Sequence, residues 1–514
     1  MLRPFLLLAL AMLPGTAHAT WKEASSKHFV IYSEEGADSL RDFATRLERY
    51  DSAMRKLRGL ADHDPGPANR LTVYVVSDVN RVRRLAGGDR FVAGFYMPRA
   101  SNSIAIIPRR LGAGSRYDLD PEIVLLHEYA HHFLFENYAA AYPIWFSEGF
   151  AEVHSTTRFE KDGSLGIGLP PVHRAYELAD KTSFPLKEML AHGTGKLTTD
   201  QRSAIYSRGW LLTHYLIFEP TRKGQLNTFL KELNAGRSPL DAATLAFGDL
   251  DTLGRDIDRY LRRRKMSFMK VAASALNPGA VTIRELSAGE DALMDLKIRS
   301  RRGVTREQAL ELVPEIRRLA AGYANDPAAQ ATLAEAEYDA GNFREAEAAA
   351  DRALAVDPKA IDALIYKGRA RMALAGDSSD EAAWKDVRRW FLAANKIDAD
   401  DPEPLMLFYH SFAAAGARPT ANAVAGLLQA HALAPQDRSL RMVVARQHLQ
   451  DGRVAETRKT LAPIAYDPHA GRAGQVAANI IEILDKSDSA AALAAWNKAA
   501  TEAEDDNKAD DKES

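Results

Sequence analysis

The chain has 514 residues, 46% of them hydrophobic, with 67 basic and 69 acidic side chains and a formal charge of −2. Such a length exceeds one ordinary domain, and a near-neutral balance leaves no electrostatic case for nucleic acid, whose phosphate backbone asks for a strongly basic face. With no cysteine, disulfides, thiolate metal ligands and a lipid-bearing N-terminal cysteine are also excluded.

Residues 1–19 combine basic Arg3, an apolar run over 5–13 and Ala17-His18-Ala19 ahead of Thr20. This pattern predicts a secretory signal peptide cleaved after Ala19. The apolar run is far below the roughly 20 residues that span a bilayer, and no later segment approaches that length, so no transmembrane segment is expected. The mature chain is expected to be exported, and periplasmic if its source is a Gram-negative bacterium.

Residues 20–270 read as an α+β unit. His28-Phe29-Val30-Ile31-Tyr32 is strand-like, 38–60 carries a helical period, and 71–76 is a second β-branched run. A strand or hairpin is expected over 91–107, turning near 98–102. The same region holds Arg99, Arg109, Arg110 and Arg116, which read as a solvated basic face, or alternatively as a preference for acidic substrates.

The chemistry concentrates in residues 121–152, PEIVLLHEYAHHFLFENYAAAYPIWFSEGFAE. On a helix, positions four apart share a face, so His127 and His131 can meet one cation while Glu128 turns about 100° aside. His132 falls off that face and reads as structural. A catalytic zinc usually takes three protein ligands and leaves a fourth position to water, so a third ligand is required. Pro143 can open a second helix that sets Glu148 and Glu152 four apart. One of the two can bind metal while the other accepts a hydrogen bond from a ligand histidine and fixes its tautomer.

HEYAH followed by Trp145-Phe146-Ser147-Glu148-Gly149-Phe150-Ala151-Glu152 resembles the gluzincin clan of zinc metallopeptidases, and especially its peptidase MA-like group. The resemblance implies a zincin-like catalytic domain with His127, His131 and Glu148 as ligands to one Zn2+ per chain, and Glu128 as general base. Glu152 is left to support a ligand histidine. In that clan the strand before the HExxH helix is an edge that pairs with extended substrate, a place that Ser103, Ile104, Ala105 and Ile106, with Ile107, would fill. The aminopeptidase N family places Gly-x-Met-Glu-Asn nearby, with a glutamate that captures the substrate amine. Here the stretch is Gly94-Phe95-Tyr96-Met97-Pro98, with no acidic residue over 91–116, which points to an endopeptidase rather than an aminopeptidase.

Further on, Thr198 and Gln201 form a capping-box pattern ahead of a helix over 198–218. Within it Tyr206-Ser207-Arg208-Gly209 resembles the Tyr-x-Lys-Gly stretch of the aminopeptidase N family, which implies Tyr206 as the donor to the oxyanion. His154 and His214 have no such pattern behind them and read as structural.

After Lys270 the composition turns to alanine and helix. Residues 271–300 are expected to link, and 301–487 to form an all-α, tetratricopeptide-like solenoid. Its clearest unit carries Leu333, Ala334, Gly341, Phe343, Ala346, Ala353, Leu354 and Pro358. Such stacks present a concave surface for a protein partner. A terminal helix over 488–502 and a disordered acidic tail over 503–514 complete the expectation. The whole reads as an exported zinc metallopeptidase acting on peptide or protein substrates, the alternative being a zinc-binding or inactive peptidase-like adapter.

Overall fold

The computed structural model describes residues 20–513, apart from 89–91, 111–119, 139, 180–183, 194–196, 377, 468–469 and 487–488. The expected signal peptide and Arg116 lie outside the described residues. Most of the chain is helical, around one six-stranded sheet and a small three-stranded one.

The larger sheet is built from β1 (Lys22–Ser25), β2 (Phe29–Ser33), β3 (Leu71–Val76), β4 (Phe95–Met97), β5 (Ile104–Pro108) and a late strand, Thr282–Glu285. Its order is β4-β5-β3-β2-β1 and then Thr282–Glu285, with β2, β3 and β5 parallel and the other pairings antiparallel. Because side chains alternate across a strand, Val73, Ala105 and Ile107 face one core and Tyr74, Ile104 and Ile106 another. The first core is closed by the helix Ala37–Arg58, through Leu40, Leu47 and Tyr50, and by Leu125 and Tyr129 of the HEYAH helix. The second is closed by Met294 and Ile298 of the helix Ala288–Arg301. A sheet covered on both faces explains why its inner strands β2, β3 and β5 are largely apolar rather than alternating.

This topology corrects two expectations. Residues 271–300 are not a linker: Val271 ends a strand of the small sheet, Thr282–Glu285 pairs with β1, and Ala288–Arg301 is the helix on the second face. The apolar Met294 and Ile298 find their partners in strands more than 180 residues earlier, a pairing that local composition does not encode. The second correction concerns the substrate edge. Ser103 and Ile104 to Ile106 do not form one, because β5 is hydrogen-bonded on both sides and these residues are buried. The three-residue β4 lies outside β5 and, among the described residues, is the edge.

The C-terminal half stacks helix pairs, beginning with Pro327–Asp339 against Phe343–Val356 and continuing with Ile361–Ala375 against Glu381–Ile397. Ala346, Ala349, Ala350 and Ala353 are fully buried, small residues that let neighbouring helices approach closely. The last helix spans Ser489–Glu513, past the expected boundary at 502. Its run of Ala, Glu, Asp and Lys contains no glycine or proline to stop it. The repeats also fold back on the first half. Asn69 donates to the Asp400 carbonyl at 2.9 Å, Gln436 to the Arg99 carbonyl at 3.3 Å, and Ala100 packs with Phe412 and Leu440.

Candidate metal centre

Three helices meet behind the β4 edge. The first, Pro121–Asn137, starts where the Asp120 side chain accepts from Glu122 N at 2.8 Å, with Pro121 in the first turn. The second, Ile144–Ser155, follows Pro143, which stands at its cap rather than inside it. The third, Thr199–Phe218, opens with the expected capping box: Gln201 N donates to Thr198 Oγ1 and Thr198 N to Gln201 Oε1.

Glycine decides how closely the last two pack. A Cβ on Gly149 would lie 2.3 Å from the Gly209 carbonyl oxygen, and one on Gly209 would lie 2.5 Å from that of Trp145. Only a glycine at each position allows this backbone contact, and it brings Glu148 and Glu152 alongside Tyr206.

His127 Nε2, His131 Nε2 and Glu148 Oε2 form a near-equilateral triangle. The two imidazole nitrogens are 3.2 Å apart and lie 3.2 and 3.4 Å from the carboxylate oxygen. A tetrahedral zinc with bonds of about 2.0–2.1 Å needs ligand atoms about 3.3 Å apart, so the donor set fits that ion in both geometry and chemistry. His131 and Glu148 are buried, and His127 nearly so.

Each histidine has a polar neighbour at its other nitrogen. His127 Nδ1 lies 3.6 Å from Glu152 Oε1, and His131 Nδ1 lies 3.3 Å from Ser147 Oγ. Glu152 is itself fixed, accepting from Arg174 Nη2 at 2.9 Å and lying 3.3 Å from His173 Nε2. Burial opposes its charge, but Arg174, His173 and His127 outweigh burial and bring its carboxyl down to about 2. Glu152 therefore stays an acceptor. Arg174 and His173 come from the 3-10 turn Val172–Arg174, and no motif in the sequence marked them.

Glu128 lies outside this triangle and lines a cleft of about 580 Å3 together with His127, Tyr206 and residues of β4. The Tyr206 ring lies 5.8 Å from that of His127, with the Arg174 guanidinium 4.7 Å above it. Glu148, burial and Glu128 all raise the phenol well above its usual range, so it remains an O–H donor. The three histidines that the sequence marks as structural have other partners. His132 lies 2.8 Å from the Tyr96 hydroxyl; His154 bonds the Phe150 carbonyl and Arg58; His214 bonds the Gly168 carbonyl and Tyr260. Of the arginines singled out in the sequence, Arg99 donates to the Arg301 carbonyl, and neither it, Arg109 nor Arg110 lines the cleft.

A second group, His28, Asp51 and Asp62, is also close enough to hold a cation. Its charges are already met: Arg55 Nε reaches both Asp51 oxygens at 3.0 and 2.8 Å, and the Lys27 ammonium lies 2.6 Å from Asp62. It fastens the Ala37–Arg58 helix to β2.

The chain matches no family model and no curated protein. Among solved structures it is similar to a thermophilic TPR protein from Thermus thermophilus, with 19% identity and a TM-score of 0.32, over 37% of this chain and 98% of that one.

Proposed function

We propose that this protein is an exported zinc-dependent endopeptidase, of the gluzincin type that HEYAH and the Glu148 helix resemble. The observation that carries the reading is the ligand triangle with Glu128 and Tyr206 beside it in one cleft. When bound, zinc would acidify a water and polarise the scissile carbonyl. His127, His131 and Glu148 would hold it. Glu128 takes the proton at its carboxylate and later passes it to the leaving amine. Tyr206 donates its O–H to the charge developing on the carbonyl oxygen. The Glu152 carboxylate stands beside His127 Nδ1 and Ser147 beside His131 Nδ1, so both Nε2 atoms point at one place.

Gly94, Phe95 and Tyr96 line the cleft, and β4 is the sheet edge there, with backbone groups to offer an extended peptide. Among the described residues the only acidic side chains in the cleft are Glu128, assigned here as the base, and Glu152, already tied to Arg174, so no further carboxylate is left to capture a free amine. This supports an endopeptidase. The export rests on the sequence of residues 1–19 alone, with the periplasm as the compartment in a Gram-negative source.

The stacked helix pairs support a second reading, a protein-interaction scaffold whose peptidase-like half binds metal without turnover. The two readings share the repeats as a surface for a protein partner and part on Glu128, which a scaffold does not need. Metal analysis tests the shared premise: purified protein should hold about one zinc per chain, lost in His127→Ala, His131→Ala and Glu148→Ala. Full occupancy in Glu148→Ala would move the third ligand elsewhere.

A further inference from the structure

The cleft has a second wall that does not belong to the metal-binding half. Arg438, the first residue of the helix Arg438–Gln450 in the repeats, lines it together with Tyr206 and Glu128. Its turn is clamped in place: Gln436 donates to the Arg99 carbonyl, and Asp437 takes a backbone hydrogen bond from Ala100, both beside β4. Asp467 accepts from Arg438 Nε, which orients the guanidinium and leaves its two terminal nitrogens outside that bond. Arg202 lines the same cleft, one helical turn before Tyr206 and on the same face, and is exposed. Among the described residues no carboxylate lies within ion-pair distance of Arg202. The third cation, Arg174, is consumed by Glu152. Among the described residues the cleft therefore carries two guanidinium groups with donors to spare, and outside the Glu152–Arg174 pair its one acidic side chain is Glu128, the base of the proposed reaction.

We propose that this cleft selects a substrate carboxylate, bound by Arg202 and Arg438, and that Arg438 is a specificity determinant supplied by the helical half. That the carboxylate belongs to a peptide rests on the peptidase reading. Guanidinium suits the task because its planar fork matches a carboxylate's two oxygens. Two sources offer that group, an Asp or Glu side chain and a C-terminal carboxylate. The repeats thus complete the binding site instead of only recruiting a partner to it.

The test is binding by full-length, zinc-loaded Glu128→Gln protein, followed by fluorescence anisotropy at low salt. Three labelled hexapeptides are compared: one with a central Glu and an amidated C-terminus, its Gln counterpart, and the Gln peptide with a free C-terminus. Either the first or the third should bind roughly ten- to a hundredfold more tightly than the second, as charge-assisted hydrogen bonds allow, and which one does so identifies the source. The preference should shrink in Arg202→Gln and Arg438→Gln and fade at high salt. Arg438→Gln removes one partner of the buried Asp467, so if that variant folds poorly, Arg202→Gln, at an exposed site, decides alone. Equal binding of all three peptides, including no binding of any, overturns the proposal, as does a preference that survives both substitutions. A wild-type protein that shows the preference yet never cleaves the preferred peptide refutes the peptidase reading and leaves carboxylate selection standing.

Discussion

Gly149→Ala probes the contact that assembles the site. The added methyl would lie 2.3 Å from the Gly209 carbonyl oxygen and 2.4 Å from Thr213 Oγ1, where ordinary contact begins near 3.4 Å. Neither obstacle is the far end of a flexible side chain, so the two helices must part by about 1 Å. Overpacking of this kind costs about 1–3 kcal/mol, and a backbone obstacle puts Gly149 at the upper end. A lowering of Tm by about 5–10 °C follows for a unit of this size. Glu148 is the preceding residue on the displaced helix, and its oxygen has only the 3.2 and 3.4 Å separations from the histidines to work with. Zinc affinity should therefore fall about tenfold or more, a loss like that from disturbing a ligand's support. Differential scanning fluorimetry and a competitive zinc-chelator titration measure the two effects. Gly254→Ala is the control, since its Cβ meets nothing nearer than Leu186 Cδ2 at 3.7 Å in the interior of a helix. It should leave zinc binding unchanged and raise stability by up to about 1 kcal/mol. A Gly149→Ala protein that melts and binds zinc like wild type would refute the close-packing argument.

Tyr206→Phe keeps the ring under Arg174 and removes one donor, so zinc content should hold while peptide turnover falls about 10²- to 10³-fold; unchanged turnover would move the oxyanion donor to another residue of the cleft. Asp401 is buried and caps the helix Pro402–Ala414, and burial together with Glu403 pushes its carboxyl up to about 7. An acid raised in the native state loses stability as pH climbs from its unfolded value near 4 towards 7, so Asp401→Asn, which keeps the cap, should gain up to about 4 kcal/mol at pH 8 and little near pH 4. Urea midpoints at the two pH values decide this, and an equal shift at both would contradict it. Ending the chain after Lys270 removes the strand that pairs with β1 and the helix that covers Ile104 and Ile106, so the fragment should be insoluble or melt without cooperativity. A soluble fragment with a sharp transition would show the late strand to be dispensable.

What the sequence makes legible here is local. His127 and His131 four apart, Glu148 on the next helix and the Thr198–Gln201 box are all statements about one or two turns of helix, and the structure brings those residues together as their spacing suggests. What it hides is non-local. Arg174 and Arg438 reach the cleft from a three-residue turn and from a repeat some 300 positions beyond the HEYAH helix, with no periodicity to mark either. The edge was misplaced for a related reason: β4 has only three residues, too few for a strand pattern, whereas the longer apolar run of β5 was easy to find and lies one strand further in. Thr282–Glu285 shows half-exposed, mixed residues, and only its partner β1, more than 250 positions earlier, makes it a strand. Gly149 and Gly209 were visible within their motifs, but each is explained by the other across the helix contact.

The central claim is that zinc-bound protein hydrolyses peptide bonds with Glu128 as the base. Its most direct measurement is cleavage of a diverse peptide library by wild type and Glu128→Gln, both loaded with one zinc per chain. Glu128→Gln leaves the three ligands and the cleft's shape in place and removes only the proton transfer. Wild type should cleave, and the variant should be slower by about 10²- to 10⁴-fold. Equal rates for the two proteins, or no cleavage of any peptide by the zinc-loaded wild type, would contradict the claim.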